Sequence, residues 1–405
     1  MTITPVLTGA IAFILFFGLF EDAFPQSGSL EPLVLRVATF NIGDVRTEDL
    51  SDLDHPRLTR IAEEIRELRP DIILLNEIAY DWPSDSVEAG GTNGQKFVDK
   101  YLPDAGPDEV AYRALMFSPN TGVSSGYDLD RNGDTVSVIP QIPEGSRDGS
   151  PGAQTAQGRA YGADSWGFGM FPGQFGFALL VSEQLEILTE EVRTFQYFRW
   201  SALPEPLRPV DPESGKSWYD ERAWQAFRLS SKTHVDVPVL VSPGTVIHVL
   251  ASHPTPPVFD GPEQRNKKRN HDEIRFWKYY LDGAAFIEDD NGKAGGLEST
   301  AQFVIVGDLN ADPQNGDSYN NPIGTFLLDH PRVKGAVAPR ADAEVEGLDA
   351  EDTAQWGLRV DYILPSAGLN SIGGAVHRHV WPEGVLAPSD HFPVWIDLEI
   401  PTASP

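Results

Sequence analysis

The chain has 405 residues, with 31 Lys and Arg against 60 Asp and Glu, so its formal charge is −29, and it holds no cysteine. The missing thiols exclude disulfides, thiolate nucleophiles, Cys-ligated zinc, iron–sulfur clusters and a lipid-modified N-terminal Cys. So negative a field repels polyanions, which makes duplex nucleic acid a poor partner, yet it leaves room for a local positive pocket that takes one small phosphate ester.

Val6 to Phe20 is an unbroken apolar run with no Lys or Arg before it. It is shorter than the about 20 residues that span a bilayer core. It reads as the apolar centre of a secretory signal peptide, or else as an uncleaved N-terminal anchor. Both place the body outside the cytoplasm, secreted or periplasmic in the first case and membrane-anchored in the second. Residues 1–31 are therefore leader or anchor plus linker, and residues 32–401 are one domain, which would meet a membrane only through an uncleaved N-terminus.

From Leu33 onward, strands and helices alternate. Leu33–Ile42 is β-rich. His55–Arg69 carries Leu58, Ile61, Ala62, Ile65 and Leu68 at helical spacing, and Pro70 stops it. Asp71–Ile78 reads as a buried strand. Residues 81–173 are rich in Gly, Asp, Ser and Pro, and read as a long irregular insertion after the second strand. Phe175–Val181 resumes the strands. Arg228–His253 reads as a hairpin turning at Ser242-Pro243-Gly244-Thr245. Asn266–Leu281 is helical in pattern, and Gln302–Gly307, Arg359–Leu364 and Phe392–Ile400 are three further strands.

Polar residues recur at the ends of these apolar strands, where α/β folds place ligands. Asn41 closes the first strand. Asn76-Glu77 closes the second, and a carboxylate there must be paired, protonated or bound to a hard divalent cation. Asp308 and Asn310, in Gly-Asp-Leu-Asn, are two apart, so extended backbone points both to one face. A carboxylate there orients or deprotonates water, and an amide donates to a phosphate oxygen. His248 and His253 are five apart in one strand, so they face opposite ways, and His253, at the strand's end, is the one to face a site. Asp361 and His391, the latter in Ser389-Asp390-His391, would pair as an acceptor and an oriented imidazole.

Taken in this order, Thr39-Phe40-Asn41-Ile42, Asn76-Glu77, Ser252-His253-Pro254, Gly307-Asp308-Leu309-Asn310, Asp361 and Ser389-Asp390-His391 resemble the motifs of the endonuclease/exonuclease/phosphatase superfamily. That superfamily includes pancreatic-type deoxyribonucleases, abasic-site endonucleases, neutral sphingomyelinases and inositol-polyphosphate 5-phosphatases. The stretch after Ser252 looks like an exported bacterial subgroup. The resemblance implies a deoxyribonuclease-like, four-layer α/β sandwich with two central mixed β-sheets flanked by helices. It implies Mg²⁺ or Mn²⁺ as cofactor and in-line attack of water on a phosphoryl centre. By the same match, Glu77, Asn41 and Asp390 hold the metal. His253 serves the leaving oxygen, Asp308 and Asn310 orient water and phosphate, and Asp361 holds His391.

Two features lie outside that match. Asp128, Asp130, Asn132 and Asp134 follow the spacing of a calcium loop, but Ile139 stands where its last carboxylate belongs, so a partial Ca²⁺ site and a plain acidic turn are both open. Arg265–Lys278 is a basic stretch in an acidic chain. Either Arg265 and Arg269 clamp a phosphate, or the stretch is a solvated helix face balanced by Asp272 and Glu273. The expected activity is an exported metal-dependent phosphoesterase acting on small phosphomonoesters or phosphodiesters. The alternatives are an extracellular nuclease, a sphingomyelinase-like phospholipid phosphodiesterase using Trp166, Phe168 and Phe171, and a non-catalytic binding module on the same scaffold.

Overall fold

β1 (Leu33–Val45) is the hinge of the architecture: it runs parallel to β2 (Ile72–Ile78) on one side and antiparallel to β13 (Val394–Ile400) on the other. The computed structural model describes residues 1–2, 33–52, 54–82, 90–103, 110–140, 155–335, 338–382 and 384–400. The chain divides into Met1–Glu31 and Pro32–Pro405. The apolar run Val6–Phe20 lies outside the described residues. Among the described residues, no helix is long and apolar enough to cross a membrane.

The remaining strands are β3 (Tyr112–Met116), β4 (Phe177–Ser182), β5 (Glu186–Ile187), β6 (Arg193–Thr194), β7 (His234–Ser242), β8 (Thr245–Ser252), β9 (Gln302–Asp308), β10 (Arg340–Ala341), β11 (Asp361–Pro365) and β12 (Asn370–Val376). One sheet has seven strands in the order β10-β12-β13-β1-β2-β4-β3, and the other has six, ordered β11-β9-β8-β7-β5, with β6 also on β7. Both are mixed, since β1 and β2, β10 and β12, and β8 and β9 run parallel while the other neighbours are antiparallel. The helices are α1 (Pro56–Leu68), α2 (Asn93–Tyr101), α3 (Ala156–Ala163), α4 (Glu221–Ala226) and α5 (Arg265–Leu281).

Alternation along the strands builds the layers. Leu35, Val37, Leu74 and Leu179 of the first sheet meet Val237, Val249, Val306 and Ile363 of the second. The opposite face of the first sheet, with Phe40, Ile73 and Leu180, packs on Leu58, Ile61 and Ile65 of α1 and Phe97 of α2. The far face of the second sheet, with Leu250, Phe303 and Ile305, packs on Ile274, Trp277 and Leu281 of α5. Each such side chain removed from water contributes about 1.5–3 kcal/mol as an upper estimate. The result is the expected four-layer sandwich. Arg69 ends α1 in a left-handed conformation (φ 48°), donating its N–H to Ile65 O before Pro70.

The stretch expected to be irregular is not wholly so. α2, β3 and α3 lie within residues 81–173, and β3 pairs with β4 as an edge strand of the first sheet. Tyr-Arg-Ala-Leu-Met is short, with Tyr112, Ala114 and Met116 packed in the cluster that holds Phe97 of α2, and tertiary pairing makes it a strand. α5 also departs from expectation, because its polar residues are interior. Asp272 accepts from Trp200 Nε1 at 2.7 Å and Leu207 N at 2.8 Å, and Glu273 accepts from Ser231 N and Thr255 N, each at 2.6 Å. Loops from residues 200 to 255 wrap this helix, and its carboxylates satisfy their backbone N–H groups.

Candidate active site

The residues that alternate into the inter-sheet core become polar at one end of it. Val37 gives way to Thr39 and Asn41, Leu74 to Asn76, Val306 to Asp308, and Ile363 is preceded by Asp361. Register brings them together: Asn41 stands opposite Asn76 within the first sheet, and Asp308 opposite Asp361 within the second. All four are at most 1 % exposed.

Asn41 links the two sheets. Its Nδ2 donates to Glu77 Oε1 at 3.1 Å and to Asp308 Oδ2 at 2.9 Å, while its Oδ1 accepts from Gly43 N at 3.0 Å. The amide nitrogen therefore orients two acids, while the amide oxygen is turned to the Gly43 backbone. Glu77 Oε2 accepts from Asp44 N at 3.1 Å. Glu77 also holds a left-handed backbone (φ 68°), which costs a non-Gly residue about 1–3 kcal/mol and persists only where surroundings enforce it. Burial raises the Glu77 pKa, against the Asn41 hydrogen bond.

Asp308 Oδ2 lies 3.4 Å from His253 Nε2 and 3.8 Å from His391 Nε2. His391 Nδ1 is 2.8 Å from Asp361 Oδ2, which also accepts from Thr353 Oγ1 at 2.7 Å. The expected Asp361–His391 pair is formed. Burial disfavours charge on His391, but the carboxylates of Asp361 and Asp308 outweigh it and push its pKa well up. Burial likewise works against ionised Asp308, yet His391, His253 and Asn41 hold its pKa down. His253 is the reverse case: burial and the Lys232 ammonium lower its pKa to about 4, so it is neutral at pH 7. His248, as expected, is elsewhere, with Nδ1 2.8 Å from Asp236 Oδ1 on the α5 side of the sheet.

Three placements differ from expectation. Asn310 is not on extended backbone: β9 ends at Asp308, and Asn310 is left-handed (φ 53°), its N–H turned back to Asp308 Oδ1 at 2.9 Å. Its Nδ2 donates to Pro254 O at 3.2 Å, which leaves it beside the His253 segment. Asp390 is exposed, and the acids that face His391 are Asp361 and Asp308, with Asp390 adding a smaller charge effect. Arg269 is buried and donates to the carbonyls of Leu229 (2.8 Å), Trp166 (2.6 Å) and Arg228 (3.0 Å), and Arg265 donates to Leu129 O at 3.0 Å. Both guanidinium groups fasten loops to α5, and both residues also line the cavity that opens at Glu77 and His253.

A cavity of about 440 Å³ opens at Glu77 and His253. Lys232 lines it, buried, with Nζ 3.4 Å from Pro254 O. Burial lowers the Lys232 pKa against the charges of Glu273, Glu77 and Asp308. Sequence reasoning missed this residue; its only signal was a lysine at the entry to an apolar strand. It also missed Thr353, which fixes Asp361, and gave no role of its own to Asn76, whose Oδ1 accepts from Asp308 N at 3.3 Å. The other walls combine apolar side chains (Leu129, Phe168, Phe175, Phe227, Pro256 and Phe259) with Arg159, Arg265 and Arg269. Of the aromatic residues weighed for lipid contact, Trp166 is buried against Tyr127 and Phe227, Phe168 lines the cavity, and Phe171 lies under Arg46.

In the acidic loop, Asp128 and Asp130 accept from Asn132 N, Asp128 accepts from Gly133 N, and Asn132 Oδ1 accepts from Asp134 N. Buried Asp164, at the end of α3, comes within 4.8 Å of the Asp128 and Asp130 carboxylates. It is distant in sequence, so the linear spacing could not reveal it.

This seam of strand-end acids, amides and imidazoles between two sheets is the candidate active site. Residues 38–391 match the Endonuclease/Exonuclease/phosphatase family, and the chain belongs to it. Among solved structures it is similar to an endonuclease/exonuclease/phosphatase from Beutenbergia cavernae, at 16% identity and TM-score 0.47, covering 91% of this chain and 72% of that one. The human Nocturnin catalytic domain with a bound sulfate anion matches at 16% identity and TM-score 0.45, covering 91% and 95%. An endonuclease/exonuclease/phosphatase from Bacteroides vulgatus matches at 16% identity and TM-score 0.42, covering 91% and 100%. No curated protein matches the chain.

Proposed function

We propose that the protein hydrolyses small phosphate esters with Mg²⁺ or Mn²⁺, water attacking in line at phosphorus. The observation that carries this reading is the buried Asp308 carboxylate, shared by Asn41, His253 and His391, next to a cavity lined by Glu77, His253 and Lys232.

The acids suit a hard divalent cation. Glu77 is held by an amide and a backbone N–H in a strained conformation, and its charged form is disfavoured by burial, which a cation would relieve. Glu77, with Asp308 nearby, would hold the ion, which when bound neutralises charge on the phosphoryl oxygens. Asp308, kept ionised, orients the attacking water. His391, kept charged by Asp361, donates to the phosphoryl group and supplies a proton to the leaving oxygen. Neutral His253 donates a hydrogen bond, and Lys232 adds a buried positive charge toward the phosphate.

The cavity volume falls in the usual range of about 300–1,000 Å³ for small-molecule sites, and its Phe168, Phe227 and Phe259 walls suit an apolar or aromatic alcohol group. A net charge of −29 works against long polyanions. The protein should be assayed with each metal on a phosphomonoester, a small aryl diester, sphingomyelin and plasmid DNA. The expected result is the highest kcat/KM on a small ester; faster plasmid degradation at low salt would establish the nuclease reading instead. The Val6–Phe20 run supports export, testable by sequencing the N-terminus of the mature protein.

A further inference from the structure

A second cluster lies where the chain leaves β12. His377 and His379 flank Arg378, and their rings turn toward the last turn of α1. His377 Nε2 is 3.6 Å from Glu67 Oε2, and His379 Nδ1 is 3.4 Å from the same oxygen. One ligand atom from each of the three residues lies within 4.8 Å of the others.

The ring of His377 is held from behind. Asp342 Oδ2 meets its Nδ1 at 2.6 Å, while Asp342 Oδ1 accepts from Arg378 N at 2.8 Å. With the proton on Nδ1, Nε2 is a bare lone pair. That atom is buried and has no hydrogen-bond partner, in a residue only 9 % exposed, and it is aimed at a carboxylate oxygen too distant for a hydrogen bond. Two acceptors turned toward each other are mutually repulsive unless something positive stands between them. His379 is set in place by its ring contact with Trp381, at 4.3 Å between centroids.

We propose that Glu67, His377 and His379 form a second divalent-metal site, of the zinc class, with Asp342 orienting His377 from behind. Two imidazoles and one carboxylate suit Zn²⁺, whereas Mg²⁺ prefers oxygen ligands. A carboxylate behind a metal-bound imidazole is the usual arrangement that fixes its tautomer. The Glu67 and His379 side chains, 56% and 34% exposed, give the ion access from solvent. Bound there, it joins α1 to the segment that leads from β12 toward His391.

The test uses the untagged full-length protein, stripped with a chelator and titrated with Zn²⁺ alone by calorimetry. One Zn²⁺ equivalent should persist in Glu77→Gln and in excess Mg²⁺, which separates it from the phosphoesterase site. His379→Ala and Glu67→Gln, at accessible positions, should each weaken that equivalent at least tenfold. Asp342→Asn should weaken it about 10–100-fold while leaving all three ligands. Unchanged Zn²⁺ affinity in both His379→Ala and Glu67→Gln, or no Zn²⁺ equivalent that survives Mg²⁺, overturns the proposal.

Discussion

His391 Nδ1 and Asp361 Oδ2 stand 2.8 Å apart, both buried, so the charge on the imidazole is set by its neighbours and not by solvent. Because the folded pKa of His391 is raised, its charged form persists well above the ordinary histidine range and is lost only as the pH climbs through that raised value. Asp361→Asn should lower kcat by about 10²–10⁴ and move the alkaline limb of the pH–rate profile down toward neutrality. The measurements are the rate profile and the His391 titration by NMR. An unmoved limb would show that His391 does not carry the essential proton.

Glu77→Gln should abolish turnover and also the rise in Tm that Mg²⁺ or Mn²⁺ gives the wild type, while the metal-free Tm holds or rises, since a disfavoured buried charge is removed. Thermal melts with and without metal decide this. An equal metal-induced rise in the variant would place the ion elsewhere.

Lys232→Met removes one of the causes that hold His253 neutral, and the His253 pKa should climb from about 4 toward its ordinary value. The acid limb of kcat/KM should move up with it, and KM should increase several-fold as the phosphate loses a charge. NMR of His253 and steady-state kinetics check both, and a variant with unchanged KM would remove Lys232 from the binding site.

Glu64, on the α1 face packed against the sheet, has its pKa raised to about 8 by burial and then by Glu67 and Asp342. An acid raised in the folded state stabilises it fully below the unfolded value of about 4.3. That contribution is lost as pH rises through the folded value of about 8. Glu64→Gln should therefore match the wild type in metal-free Tm at about pH 5 and exceed it at about pH 9. A constant difference across that range would mean Glu64 is paired in the folded state.

What the sequence disclosed was whatever depends on strand periodicity. Asn41, Glu77, Asp308, Asp361 and His253 could be read because each lies at the end of an apolar strand, and β1, β2, β9 and the β7–β8 hairpin are dominated by apolar residues. What it hid depends on contacts made across the fold. Lys232 acts on residues far away in the chain, and Thr353 reaches Asp361 only through the loop that leads into β11. β12, Asn-Ser-Ile-Gly-Gly-Ala-Val, looks like a turn and becomes a strand by pairing with β13. That Arg265 and Arg269 donate to loop carbonyls while lining the cavity was equally hidden, because linear charge does not show which carbonyls surround a helix. Asn310 looked extended because two-residue spacing cannot foresee a left-handed turn.

β1 sits between β2, its early neighbour, and β13, the last strand of the chain. During synthesis, the growing polypeptide thus exposes one bare edge of β1 until the residues of β13 have been made. His391, three residues before β13, arrives in that same final instalment. Catalytic competence and edge protection are consequently completed in one late event, and any fragment ending before Val394 has an open ladder edge together with a half-assembled site. Premature termination would yield an aggregation-prone species, never a weakly working enzyme.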